Sequence, residues 1–254
     1  MPVVETRSGR LRGTERRGVL AFRGIPYAAP PSGPRRFRAP EPAESWPGVR
    51  DADAPGPGAP QRGATLGGAF TRIIGPGATS EDCLTLDLWT PAADGARRPV
   101  LVWIHGGAFL MGAGSALAYG GAALARSGDV VVVTLNYRLG ALGFLQLGDL
   151  APAAGFDSNL GLRDQIAALE WVRDNVAAFG GDPAQVCVFG ESAGAMSVGA
   201  LLGAPRARGL FARAIAQSGA AHNVAGRESA ARVAATFLDV LGLAPREAAR
   251  LREL

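Results

Sequence analysis

Two short stretches of this chain hold residues whose types and spacing suit acyl transfer. The first is Gly190-Glu191-Ser192-Ala193-Gly194, which directly follows the apolar run Val186-Cys187-Val188-Phe189. A Gly-x-Ser-x-Gly pentapeptide between a strand and a helix is a nucleophile elbow, a sharp turn that holds a serine hydroxyl out toward an ester or amide carbonyl. The outer glycines are needed because strand and helix nearly touch there, and the serine takes a strained backbone conformation. The second stretch is His105-Gly106-Gly107-Ala108-Phe109, at the end of the apolar run 100–104. Consecutive glycines let backbone N–H groups turn toward a ligand with no Cβ in the way. Donors fixed before reaction stabilise a developing oxyanion, and losing one typically costs about 3–4 kcal/mol. Ser192 is the candidate nucleophile, and the N–H groups of Gly106, Gly107 and Ala193 are the candidate oxyanion donors. Either stretch alone also fits a plain glycine turn beside a strand.

A serine is a weak nucleophile without a base. The chain has two histidines, His105 and His222. His105 belongs to the glycine stretch and is committed to holding that loop. His222 follows Gln217-Ser218-Gly219 and is either a polar pocket-lining or surface residue or a base. No acid stands where it would orient His222, because Glu228 and Asp239 fall on a predicted surface helix. Phe109, with Leu110 and the loop 64–77, is placed to shape a pocket.

The elements that must position these groups alternate between strands and helices. Short strands at 3–6, 10–13 and 19–24 precede a Pro-rich stretch, 29–47, and a Gly/Pro/Ala-rich loop, 54–77. Residues 84–89 alternate like a half-buried strand, whereas 100–104 and 130–135 are continuous apolar runs, as in strands covered on both faces. Helices are predicted over 116–126, 162–179, 193–202, 227–241 and 245–254, with strands at 186–189 and 213–217. Such alternation implies an α/β domain on a mostly parallel sheet flanked by helices.

Composition narrows the function class. With 254 residues, 48% of them hydrophobic, the chain is long enough for one sizeable core. No apolar run approaches the ~20 residues of a spanning helix, and the N-terminus lacks the pattern of a secretory leader. All 26 basic residues are arginine, scattered among 22 acids for a net +4. That dispersed charge reads as surface charge rather than a nucleic-acid face. Cys83 and Cys187 are too few for a disulfide framework and suit a reducing, cytoplasmic setting. No ligand spacing for a metal is present, and acyl transfer through serine requires no cofactor.

The chain resembles the type-B carboxylesterases, the family of bacterial para-nitrobenzyl esterases and of the cholinesterases. The resemblance rests on collinear motifs along most of the sequence: Phe22-Arg23-Gly24-Ile25-Pro26-Tyr27-Ala28, Arg36-Phe37-Arg38-Ala39-Pro40, Ser80-Glu81-Asp82-Cys83-Leu84-Thr85-Leu86 and His105 to Phe109. Asn136-Tyr137-Arg138-Leu139-Gly140, Asn159-Leu160-Gly161-Leu162-Arg163-Asp164-Gln165, Phe179-Gly180-Gly181-Asp182-Pro183, the elbow and Gln217-Ser218-Gly219 complete it. It implies an α/β-hydrolase fold, a small-molecule carboxylic ester as substrate, and Ser192 as the acylated residue. It further implies that Ser218 stands behind the triad, that Glu191 supports the site without being the triad acid, and that Arg36–Glu81 and Arg138–Asp164 are internal ion pairs. No cysteine precedes Cys83, so a free thiol is expected there.

In this family the acid and the histidine follow the serine, in the order serine, acid, histidine. Ser192 stands three-quarters of the way along 254 residues. The expectation is therefore that residues 1–254 form the N-terminal part of a single hydrolase domain, cut before its last strands and exposing an unpaired apolar sheet edge. Its own activity is then low or nil. The alternatives are a non-catalytic binding form of the same fold and a complete small hydrolase or peptidase using His222.

Overall fold

The computed structural model describes residues 1–62, 75, 77–219, 221 and 224–253. Among the described residues, ten strands fall into two sheets. A small one joins β1 (Val3–Thr6), β2 (Gly9–Arg12) and β5 (Val49–Asp51). The central sheet contains β3 (Thr14–Arg16), β4 (Val19–Pro26), β6 (Thr85–Thr90), β7 (Arg98–Ile104), β8 (Val131–Leu135), β9 (Gly181–Glu191) and β10 (Arg213–Gln217). Its order is β10-β9-β7-β8-β6-β4-β3. The four strands β8, β7, β9 and β10 run parallel, and β6, β4 and β3 extend the sheet antiparallel beyond β8. The parallel strands carry both chemical motifs at their C-terminal ends, where β7 leads into His105 and β9 into Ser192.

The helices are α1 (Ala122–Gly128), α2 (Gly140–Phe144), α3 (Leu160–Asn175), α4 (Ala193–Gly203) and α5 (Arg227–Val240). Leu169 and Val172 of α3 and Val198 and Leu201 of α4 pack with Val100, Val102, Val133, Val186 and Val188 in the main core. Burial of these branched side chains on one sheet face is the chief stabilising term, at roughly 25 cal/mol per Å² of apolar surface. On the other face, α1 covers Trp89 and Val132 through Ala125.

Several sequence expectations need correction. The predicted helix 116–126 is broken into a 3-10 turn, Leu117–Tyr119, and α1. At the break, the Gly121 Cα lies so close to the sheet that a Cβ would meet Val132 and Trp89 at 2.6 and 2.7 Å. The helix expected at 162–179 is α3, whose last turn tightens into a 3-10 segment, Val176–Phe179. The strand read at 186–189 begins earlier, at Gly181. The predicted C-terminal helix is a 3-10 helix, Pro245–Arg252. Strand β6 is not half-buried: every residue from Thr85 to Thr90 is buried, because both faces are covered.

Other expectations hold. Arg36 binds Glu81 through Nε (2.8 Å) and Nη2 (2.6 Å), and Arg138 binds Asp164 in the same two-pronged way (2.8 and 2.6 Å) with both side chains buried. Cys83 and Cys187 are free and buried. Burial, with Asp164 nearby, pushes the Cys83 thiol up to about 12. Glu228 and Asp239 lie exposed on α5.

The β10 border of the sheet is bare. All five residues of β10 are exposed, Ile215 to 48%. In register, Ile215 stands beside Phe189 of β9, and Phe189 beside Trp103 of β7, whose ring packs on Phe189 at 4.9 Å and on Tyr119 at 5.1 Å.

Candidate active site

Ser192 sits between β9 and α4 with φ 54° and ψ −122°, a conformation an L-residue adopts only when its surroundings impose it. The surroundings here are close backbone contacts. A Cβ on Gly190 would lie 2.6 Å from the Gly194 carbonyl carbon and 2.8 Å from the Ile104 oxygen. One on Gly194 would overlap the same Ile104 oxygen. Strand, helix and the end of β7 therefore meet with room only for glycine, as the pentapeptide spacing predicts. The Ser192 N–H donates to Gln217 O (2.9 Å), which ties the elbow to β10. The Ser192 hydroxyl does not cap α4, and among the described residues it has no hydrogen-bond partner.

The glycine stretch runs directly alongside. A Cβ on Gly106 would stand 3.2 Å from Ser192 Cβ, 2.7 Å from Glu191 O and 3.0 Å from Glu191 Oε2. Gly107 has φ 110°, and Ala108 (φ 56°) and Phe109 (φ 61°) are also left-handed, so the loop reverses at once. Leu110 and Met111 N–H close it onto Gly107 O (3.0 and 3.1 Å). Among the described residues, no hydrogen bond uses the N–H of Gly106, Gly107 or Ala193. Three unpaired donors thus stand at the elbow, one of them on the first residue of α4, where the helix macrodipole also favours negative charge.

The remaining predicted residues are distributed unevenly. His105 is 1% exposed, stacks on Tyr137 (4.4 Å between centroids), and bonds Gly106 O through Nδ1 at 2.8 Å. Because a carbonyl only accepts, Nδ1 carries the proton. Burial, partly offset by that bond, lowers the imidazole pKa to about 4, so His105 is neutral at ordinary pH. It is a structural partner of the loop and is not aimed at Ser192 as a base. Glu191 is exposed and faces Gly106, and its charge adds to burial in raising the Tyr119 phenol. Phe109 packs on Phe144 (4.8 Å), and its carbonyl accepts from Gly140 N–H (2.7 Å). Ser218 follows β10, exposed, with φ 55°. Its neighbour Gly219 fits against Ser192 O, where a Cβ would come within 2.7 Å. His222, and the loop residues 64–74 and 76, lie outside the described residues. Within the described residues, His105 is the only histidine, and no group of His, Cys, Asp and Glu is placed to hold a metal. No helix among them is long and apolar enough to cross a membrane.

Sequence reasoning missed Gln61, whose side chain pairs with both backbone groups of Gly112, and Tyr137, whose hydroxyl donates to His105 O. Tyr137 stood within a recognised motif, but nothing in its type revealed the target. Gln61 offered no signal at all, since its partner is backbone.

Comparison with known proteins identifies the family. A model of the carboxylesterase family matches residues 1–253. The chain is 51% identical over 241 residues to a para-nitrobenzyl esterase of Bacillus subtilis (strain 168), covering 95% of this chain and 48% of that protein. It is 50% identical over 217 residues to a phenmedipham hydrolase of Pseudarthrobacter oxydans, covering 85% and 43%. It is also 43% identical over 262 residues to neuroligin-2 of Mus musculus, covering 87% and 30%. Among solved structures, a thermophilic PNB esterase superposes with a TM-score of 0.93 at 49% identity, over 99% of this chain and 51% of that one. A Geobacillus stearothermophilus carboxylesterase gives 0.89, also at 49% identity, over 99% and 50%. The chain spans about half the length of these esterases, and its fold is that of the α/β-hydrolases. Matched by the family model over nearly its whole length, the chain belongs to the carboxylesterase family.

Proposed function

We propose that this chain carries the nucleophile and oxyanion donors of a serine carboxylesterase acting on small carboxylic esters. Ser192 Oγ attacks the carbonyl carbon and the carbonyl oxygen becomes an oxyanion, held by the N–H groups of Gly106, Gly107 and Ala193. The Ser192 proton passes through a base to the alkoxide oxygen, so that collapse expels the alcohol and leaves an acyl-serine, which water then cleaves to the acid and free serine. The observation that carries this reading is the convergence of an uncommitted hydroxyl on a strained Ser192 with three unpaired backbone donors. Glu191 and Ser218 support the site, and Phe109 shapes its wall.

Among the described residues no base is assigned to Ser192. His105 is neutral, buried and bonded to Gly106 O, so the proton of Ser192 must go elsewhere. The reading assigns base and acid to polypeptide beyond residues 1–254, and the half-length match to the relatives supports it. Hydrolysis of para-nitrophenyl acetate tests the assignment. The chain alone is expected to turn over near the uncatalysed rate. Robust turnover that is abolished by both Ser192→Ala and His222→Ala would overturn it, and would make His222 the base.

A further inference from the structure

Resting on that reading of Gly106 and Gly107, we propose that Tyr137 and Gln61 are positioning residues of the oxyanion hole, each acting on one of its donors through the opposite end of a peptide. The argument starts from peptide geometry. In a trans peptide, the carbonyl of one residue and the N–H of the next lie in one plane and point in opposite directions. A group that holds the carbonyl therefore aims the N–H.

The donor on Gly106 belongs to the His105–Gly106 peptide. Its carbonyl, His105 O, accepts from Tyr137 Oη at 2.8 Å. Tyr137 is fully buried and stacked on the His105 ring, so this donor cannot swing away. Burial also raises the phenol pKa, which keeps the hydroxyl protonated as a donor. The Gly106 N–H is thus turned out of the core by a bond on the core side.

The donor on Gly107 belongs to the Gly106–Gly107 peptide, whose carbonyl accepts from His105 Nδ1 at 2.8 Å. The backing for that bond is Gly112. A Cβ there would lie 2.5 Å from His105 Nδ1 and 2.7 Å from Gly106 O, so the Gly112 backbone is pressed against both partners. Gly112 is held there by Gln61, whose Oε1 accepts from Gly112 N–H and whose Nε2 donates to Gly112 O, both at 2.9 Å. The amide fits Gly112 as another strand would. Nε2 also reaches Ala59 O at 3.1 Å, which anchors the side chain to its own segment. One further tie joins the same two segments: Asn136 accepts from Gly114 N–H (2.8 Å) and donates to Pro57 O (2.9 Å). The loop that presents the donors is therefore clamped from behind by Tyr137, Gln61 and Asn136.

The probe is benzeneboronic acid, whose boron bonds to the serine oxygen as the hydroxyl proton passes to the buffer, giving a tetrahedral anion with a boron-bound oxygen where an oxyanion forms. Adduct formation by the full chain is followed by boron-11 NMR, with Ser192→Ala as the reference. Tyr137→Phe removes the hydroxyl but keeps the ring stack, and Gln61→Ala removes the clamp at a half-buried position. Each is expected to weaken the adduct about tenfold or more, less than the hundredfold or greater loss of a whole donor. Gln61→Glu keeps the acceptor for Gly112 N–H and is expected to fall between wild type and Gln61→Ala. The unfolding midpoint of Gln61→Ala is expected to stay close to wild type, which separates positioning from folding. A serine adduct of equal affinity in wild type, Tyr137→Phe and Gln61→Ala would overturn the inference and leave the reading of Ser192 intact. Identical spectra for wild type and Ser192→Ala would overturn the reading itself, and the inference with it.

Discussion

Asp164→Asn is expected to lower the stability of this protein by about 3–5 kcal/mol, the cost of leaving a buried charge without its partner. Asp164 accepts three hydrogen bonds from Arg138: from its backbone N–H (3.0 Å), Nε (2.8 Å) and Nη2 (2.6 Å). The two side chains are 3% and 0% exposed, so water cannot replace the lost carboxylate. Asparagine matches the shape but offers one acceptor oxygen and no charge. Arg7–Asp174 provides the contrast, because Arg7 is 70% exposed and such pairs contribute under about 1 kcal/mol. Denaturant unfolding of Asp164→Asn and Asp174→Asn side by side checks the difference. A loss below ~1 kcal/mol for Asp164→Asn would show that the pair is not the buried staple its geometry describes. The double variant Arg138→Met/Asp164→Leu should recover most of the loss, since it removes both charges.

The second large effect concerns pH. Asp87 lies in β6, 5% exposed, and accepts a bond from Gly24 N–H (2.8 Å). Burial raises its pKa to about 6, against weaker lowering by the Gly24 N–H and by Arg23. A carboxyl whose folded pKa is raised favours the folded state below its unfolded value near 3.9, and that stability is lost as pH climbs through 6. His105 works in the opposite sense. Its folded pKa of about 4 lies below the unfolded value, so its stability is present above about 6.5 and is lost as pH falls toward 4. At 1.36 kcal/mol per pKa unit, each group is worth at most about 3 kcal/mol, and the two slopes oppose one another over nearly the same window. Between pH 4 and 6.5 they should largely cancel in the wild type. Asp87→Asn is expected to raise stability at pH 8 and to expose the His105 slope, so that the variant loses about 3 kcal/mol on acidification. Position 87 pairs in register with Thr134 across β6–β8, and Thr134 Oγ1 is buried without a partner among the described residues. Unfolding free energies of both proteins from pH 4 to 8 decide the matter. Parallel curves, or a variant less stable at pH 8, would refute the opposed-titration account.

The site was more legible in the sequence than the packing around it. The turn at Ser192 and the loop at Gly106 and Gly107 are legible because rare backbone needs glycine at fixed offsets. The strand 213–217 and the ion pairs Arg36–Glu81 and Arg138–Asp164 were equally readable, the pairs only through the family resemblance. What escaped was long-range. Gly121 breaks a helix because of what the sheet puts in its way, and the sequence near Gly121 does not contain that information. Asp87 read as the polar member of an alternating strand, and only the covering of both sheet faces makes it a buried acid. Gln61 and Tyr137 bond backbone atoms far along the chain, which side-chain patterns cannot encode.

The 3-10 helix Pro245–Arg252 bears on the order of folding. It docks on the turn near Arg36, which donates to Leu251 O (3.0 Å) across a separation of 215 residues. Arg252 lies over the Phe156 ring (4.7 Å) and donates to Ala154 O (2.8 Å). Closing so long a loop is entropically slow, so this clasp belongs late in folding, after the sheet that bears Ser192 has formed. By the same reasoning it is the natural first place for the molecule to open, and the strained turn at Ser192 can outlast its release.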